Sequence, residues 1–243
     1  MQSFQYGNTT IDYSVEYIKG KKDVSLSVCL TEGVKLVVPH GIDSDKLEGI
    51  LHKKAPWILK KKYELDEVAA APPPKEYVSG EKFAYLGRHY RLKVHKSDTL
   101  NNPTLNFKQG RFIAEIPTNM NSDDKVIKLS RLFKEWYITQ GSRKIEERQK
   151  VYCPKMELEP TKIAFKEQQK RWGTCTNEGS IYLNWRIMMA PMSVVDYVLV
   201  HELAHLKYAD HSTDYWRFVR SILPDYEQGK EWLRVNGPLL SLN

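Results

Sequence analysis

Residues 193–205 read Ser-Val-Val-Asp-Tyr-Val-Leu-Val-His-Glu-Leu-Ala-His. Val194, Val195, Val198, Leu199 and Val200 make a helix here apolar nearly all round, so it has to sit inside a packed core. Its start carries the chemistry of a helix N-terminus. Ser193 is placed to cap, Asp196 completes a capping-box pattern, and Met192 and Tyr197 occupy the positions of a hydrophobic staple. A buried helix is a costly place for His201, Glu202 and His205, because an unpaired polar or charged group loses several kcal/mol on leaving water. His201 and His205 project from one face about one turn apart, so two imidazoles can grip one ion. Glu202 lies beside them, where its carboxylate can reach a water held by that ion, which is the HExxH logic of a zinc hydrolase. Catalytic zinc takes a third protein ligand and leaves its fourth position to water. His211 is the candidate for that place, at a corner where Ser212 caps the next helix. HExxH arises by chance in roughly 1–2% of chains of this composition. The cap, the buried helix and the nearby histidine set this one apart.

The bulk numbers bound the rest. A chain of 243 residues can bury a full core as one large domain or two small ones. Hydrophobic residues at 41% and charged residues at 28% fit an ordinary soluble globular protein. The apolar runs fall short of a membrane span. The start shows no basic segment followed by an apolar stretch, so no signal peptide is evident. The expectation is a cytoplasmic protein without membrane contact. Cys29, Cys153 and Cys175 lack the number and spacing for a disulfide framework or a thiolate metal site, and read as reduced thiols, mostly buried. The net charge of +7 is a modest basic excess. Its clearest cluster, Lys53, Lys54, Lys60, Lys61 and Lys62, reads as a solvated helix face, so nucleic acid enters only as a minor expectation among partners.

Along the chain, Ile11–Tyr17, Val24–Leu30 and Val34–Val38 read as strands punctuated by Gly20 and Gly33. A helical pattern runs from Asp43 to about Val68, and Pro56 is expected to split it in two. Pro72, Pro73 and Pro74 after an alanine run form the best linker candidate. Phe83–Leu86, Tyr90–Val94, Thr104–Phe107 and Phe112–Ile116 look like two hairpins in an antiparallel region. A long helix follows from Ser122 to about Lys150, then strands Lys162–Phe165 and Ser180–Trp185. Three helices, Val194–Lys207, Thr213–Leu223 and Tyr226–Val235, close the chain. No internal repeat is visible. The expected fold class is α+β: an N-terminal antiparallel β-rich region, then a small zincin-like core around the buried HExxH helix. The expected divisions are an N-terminal β/α region over 1–71, linker and hairpins over 72–121, and a catalytic core over 122–243.

Further residues carry a resemblance. They are Arg171-Trp-Gly-Thr-Cys175, Ile181-Tyr-Leu-Asn-Trp-Arg186, Ala190-Pro191, Asp196-Tyr-Val, His201-Glu-Leu-Ala-His205, His211 and Tyr215-Trp216. With them the chain resembles the YgjP-like metallopeptidases, a family related to the SprT-like zinc proteins. The resemblance is dense over about 165–235 and looser over 10–165. It implies a small α+β zincin core with three histidine ligands and a glutamate general base, and it allows the whole chain to be one YgjP-like domain. Thr174 stands where Ser is usual and Tyr215 where Phe is usual, both mild departures. The HExxH-x5-H spacing also matches the metzincins. Tyr208 stands where those place Gly, and no Met follows His211, which argues against that group.

The function expected is zinc-dependent hydrolysis of a peptide or protein substrate, with one Zn2+ per chain held by His201, His205 and His211. Glu202 is the expected general base. Arg171 and Arg186 are candidates for substrate contacts, and Tyr208 and Tyr215 for stabilising a developing oxyanion. Each also has a structural reading, as an ion pair or as the wall of the site. Strand Ser180–Trp185 is the candidate edge for holding an extended peptide. Two other functions fit part of the pattern. One is nucleotide phosphoanhydride hydrolysis, although no Walker-type glycine loop is present. The other is a nucleic-acid-associated accessory protein with structural zinc, for which an intact Glu202 has no use.

Overall fold

The computed structural model describes residues 2–21, 23–29, 33–66 and 72–242. The expected strand end at Leu30, the helix end at Val68 and the alanine run 69–71 lie outside the described residues. The chain is a mixed α+β protein, with five α-helices among the described residues, and it divides into two units, Met1–Ala69 and Ala70–Asn243. No described helix is long and apolar enough to cross a membrane.

In the first unit, β1 (Gln2–Tyr6) and β2 (Thr9–Ile18) form a hairpin through Gly7, whose φ is +57°. Next, β3 (Ser25–Cys29) and β4 (Gly33–Pro39) pair antiparallel, and β4 lies parallel to β2, giving the order β1-β2-β4-β3. Along β4 the two-residue period buries Val34, Leu36 and Val38. Helix α1 (Ser44–Asp66) covers that face with Leu47, Leu51, Ala55 and Ile58. Two expectations are corrected here. The sheet is mixed rather than antiparallel, because β3 takes the outer edge and folds back, inserting β4 beside β2. Pro56 does not split the helix. Both it and His52 are exposed, so the carbonyl its ring leaves unbonded faces water.

The second unit begins with the same topology. Strands β5 (Lys82–Tyr85), β6 (Arg88–Ser97), β7 (Thr104–Lys108) and β8 (Arg111–Pro117) take the order β5-β6-β8-β7. Both expected hairpins form, at Leu86-Gly87 and Gln109-Gly110, but the parallel β6/β8 pair makes this sheet mixed as well. That pair runs from Leu92↔Phe112 to Ser97↔Pro117, as β2/β4 runs from Tyr13↔Val34 to Ile18↔Pro39. A helix follows each sheet through the same Pro-x4-Ser-Asp step, Pro39 to Asp45 and Pro117 to Asp123. The chain therefore contains a structural repeat, correcting the reading of none. Strand lengths, pairing and turn positions carry it, with few shared residues, so a search for self-similar sequence misses it.

Helix α2 (Ser122–Met156) joins this sheet to the rest of the unit. Phe133 stacks on Phe83 at 4.1 Å, and the Tyr137 hydroxyl donates to the Ala84 carbonyl at 2.5 Å. One turn on, a Cβ at Gly141 would lie 2.8 Å from Phe165, so glycine lets the third sheet close against the helix. That sheet comprises β9 (Lys162–Lys166), β10 (Gly173–Cys175) and β11 (Ser180–Asn184) in the order β10-β11-β9. The strand expected to offer a free edge, β11, is flanked on both sides, and the short β10 holds the edge instead. A 3-10 turn (Trp185–Met189) leads into α3 (Met192–Ala204), α4 (Thr213–Ile222) and α5 (Tyr226–Asn236). One hydrophobic core runs through residues of 77–116, α2, β11 and α3.

Candidate active site

Helix α3 is buried as its composition demands. Val194, Val195, Val198, Leu199, Val200 and Leu203 are all in the core, each contributing about 1.5–3 kcal/mol on leaving water. Its start differs from expectation. Pro191 is the N-cap residue and makes no side-chain cap, while its carbonyl accepts from the Val194 and Val195 N–H groups at 2.9 and 3.1 Å. Ser193 is exposed within the first turn. Asp196 turns instead to α2, where Arg148 Nε and Nη2 each donate to its carboxylate at 2.7 Å. A buried bidentate ion pair outweighs a local cap here.

At the other end His205 is the C-cap residue, and the chain turns back to His211. Ser212 caps α4 as expected, accepting from the Tyr215 N–H at 3.3 Å. One ring nitrogen from each of His201, His205 and His211 lies within 4.8 Å of the others. His201 Nε2 and His211 Nε2 are 3.1 Å apart, so two ring edges converge on one point. His205 Nδ1 lies 3.1 Å from the Tyr208 carbonyl. That oxygen can only accept, which assigns the proton to Nδ1 and leaves the Nε2 lone pair free. Burial pushes His201 down to about 3, helped by His205, His211 and Lys230. Burial first, then His205 and Lys230, also lowers His211. Neutral imidazoles are the form that ligates a metal, so the three residues fit a divalent cation. His201 Nδ1 is buried without a hydrogen-bond partner among the described residues. Packing holds that ring, with Tyr197 and Tyr215 centroids at 5.8 and 5.5 Å.

Glu202 is buried at 5% exposure. Burial raises its carboxyl to about 7, against the opposing pull of the Arg171 charge and the Cys175 backbone hydrogen bond. The strand β10 is shaped to receive it. A Cβ at Gly173 would stand 2.5 Å from Glu202 Oε1, so glycine is required by the carboxylate rather than by a turn. Sequence reasoning missed both the strand and this role, because the neighbour that imposes it lies on another element. The three histidines and Glu202 open into a cleft of about 890 Å³ lined also by β10, Arg171 and Lys230. This size suits a ligand site.

The other expected contacts divide. Arg171 lines the cleft, whereas Arg186, Tyr208 and Tyr215 do not. Arg186 pairs with Glu167 and stacks over Trp185 at 4.6 Å. Tyr208 offers its carbonyl to His205 and packs its ring on Phe218 at 5.7 Å. Tyr215 is fully buried and its hydroxyl donates to the His201 carbonyl at 3.0 Å, bracing α3 and leaving no proton for an oxyanion. In this structure these three side chains are engaged away from the cleft.

A family model for the YgjP-like metallopeptidase domain matches residues 22–236. No curated protein sequence matches the chain. Among solved structures, the metallopeptidase zymogen abylysin of Pyrococcus abyssi is similar at 21% identity, over 39% of this chain and 94% of that one, with a TM-score of 0.35. With nearly the whole chain matched by the family model, this protein belongs to the YgjP-like metallopeptidases.

Proposed function

We propose that the protein is a zincin-like, zinc-dependent peptidase in which His201, His205 and His211 hold one zinc ion and Glu202 is the general base. The observation that carries this reading is the convergence of three imidazoles beside one buried carboxyl in one cleft. Bound zinc would acidify a water and polarise the scissile carbonyl. Glu202 is placed to accept the proton of that water and return it to the leaving amine. The Cys175 N–H and the bare face of Gly173 fix its carboxylate. The Tyr208 carbonyl fixes the tautomer of His205. An extended substrate would add to the free edge of β10 by main-chain hydrogen bonds. A second reading, nucleotide phosphoanhydride hydrolysis, draws support from the cationic side chains of the cleft.

The test pairs two variants. Glu202→Gln keeps size and helix propensity while removing the proton acceptor. It should retain zinc and lose activity on a peptide library by roughly 10²–10⁴-fold. His211→Ala should lose zinc, and His95→Ala should not. Full activity in zinc-loaded Glu202→Gln would sink the mechanism. Equal zinc content in the two histidine variants would sink the assignment of the third ligand.

A further inference from the structure

The cleft is charged on one side of neutral. Arg171, Lys207, Lys230 and Arg234 line it, and among its described lining residues Glu202 is the sole acid. The whole chain is far closer to balance, with 37 Lys and Arg against 30 Asp and Glu, so the excess is local. Arg234 pairs with Glu231 at 2.6 Å. Among the described residues Arg171, Lys207 and Lys230 form no ion pair with a carboxylate, and Lys207 lies over the Phe218 ring at 4.9 Å.

Arg171 and Lys230 line the cleft from separate elements. Arg171 precedes β10, and its charge acts on Glu202. Lys230 is on α5, and its charge acts on His201 and His211. The Lys230 ammonium stands 4.6 Å from the Trp216 ring centroid, and Trp216 in turn stacks on His211 at 5.4 Å. The Trp216 face gives that ammonium a resting place, and with no carboxylate paired to it the charge stays open to an anion arriving with the substrate. Asp210 does not line the cleft and accepts the Ser212 N–H at 3.3 Å.

We propose that Arg171 and Lys230 select peptides with acidic side chains close to the bond that is cut. The selection rests on the peptidase reading above and adds the substrate's charge to it. Both cations meet substrate in the ground state as well as in the transition state, so the preference falls mainly on KM. Charges at a solvent-filled cleft are screened by salt, so the preference shrinks as ionic strength rises.

The experiment uses the zinc-loaded full chain and quenched peptides that differ only in their flanking residues: aspartate and glutamate, serine and glutamine, or lysine. At low salt, kcat/KM for the acidic series should exceed that for the lysine series by roughly 10–100-fold, and the ratio should collapse toward one in about 0.5 M salt. Lys230→Glu and Arg171→Gln should each cut the ratio about tenfold. Because both series are measured on the same variant, a general loss of activity cancels. Lys150→Glu, on the solvent side of α2, should leave the ratio alone, and Lys230→Gln serves if the reversed charge disturbs folding. Cleavage of all series at equal kcat/KM by the wild type overturns the selection and leaves the peptidase standing. A ratio unmoved by the Lys230 and Arg171 variants overturns their assignment. Cleavage of no peptide, with nucleoside triphosphates hydrolysed instead, overturns the selection and the peptidase reading together.

Discussion

The two four-stranded sheets share strand order, parallel centre and following helix, yet their first hairpins meet different surroundings. At the tip of β1/β2, a Cβ on Gly7 would find nothing within 4 Å among the described residues. At the tip of β5/β6, a Cβ on Gly87 would lie 3.0 Å from Pro191. There the Leu86 N–H donates to Met188 at 2.9 Å and the Gly87 N–H to Met189 at 3.2 Å. Their helices differ too. The first leaves Trp57 at 40% and Tyr63 at 68% exposure, while α2 buries Phe133 and Tyr137 fully. A topology can thus be present twice, with one copy docked on the turn that leads into α3. Neighbours decide its role, and the strand order does not.

The contrast can be broken at its charged contacts first. Arg148→Ala leaves the buried Asp196 carboxylate without its bidentate partner between α2 and α3, which should cost about 2–3 kcal/mol, discounted because Arg148 is 30% exposed. Glu16→Ala removes a carboxylate that is 50% exposed from its pair with Lys35, and should cost under about 1 kcal/mol. Urea denaturation of both variants tests this, and equal losses would erase the distinction. The hairpin tips give the next effect. Gly87→Ala must hold a positive φ and also press on Pro191, for about 2–4 kcal/mol and roughly a tenfold fall in kcat/KM. Gly7→Ala faces the backbone strain alone, about 1–2 kcal/mol, with kcat/KM unchanged. Activity lost equally in the two would mean the docked tip does not position the site.

The smallest effect concerns acid. Burial pushes the Glu167 carboxyl up, but hydrogen bonds from Lys134, Trp185 and Arg186 outweigh it and hold it at about 2, below its ordinary 4.5. A folded-state value below the unfolded one gives stability that is present above about 4.5 and fades as pH falls toward 2. Its side chain is 41% exposed, which keeps the contribution modest. Tm followed from pH 7 down should therefore show Glu167→Gln less stable than wild type at neutrality and equal to it near pH 2. A constant gap across that range would remove Glu167 from the account.

What could be read in the sequence follows from how far apart the causes lie. His201, Glu202 and His205 share one helical turn and His211 follows a short corner, so their convergence is set by local geometry. The three closing helices were legible for the same reason, as the hydrophobic pattern of each and the Ser212 cap of α4 are local. Gly173 showed nothing of its role, because the carboxylate that requires it comes from α3. Asp196 was taken for a capping residue because its partner, Arg148, is on α2. Lys230 gave no signal, since only the packing of α5 brings it beside His211. The repeat stayed hidden because register and turn geometry carry it. The short edge strand β10 was missed because three residues show no period.

The docked tip also stores a small debt of conformation. Leu86 sits at a φ of +48°, a left-handed posture that side chains with a Cβ resist. The two amide bonds to Met188 and Met189 help hold it there, and the same carbonyls belong to the turn that launches α3. Hairpin and helix therefore open or stay shut as neighbours in one cooperative patch. By linkage, whatever ligand tightens α3 also holds Leu86 in its awkward posture, and a hairpin that relaxes loosens the ligand in equal measure.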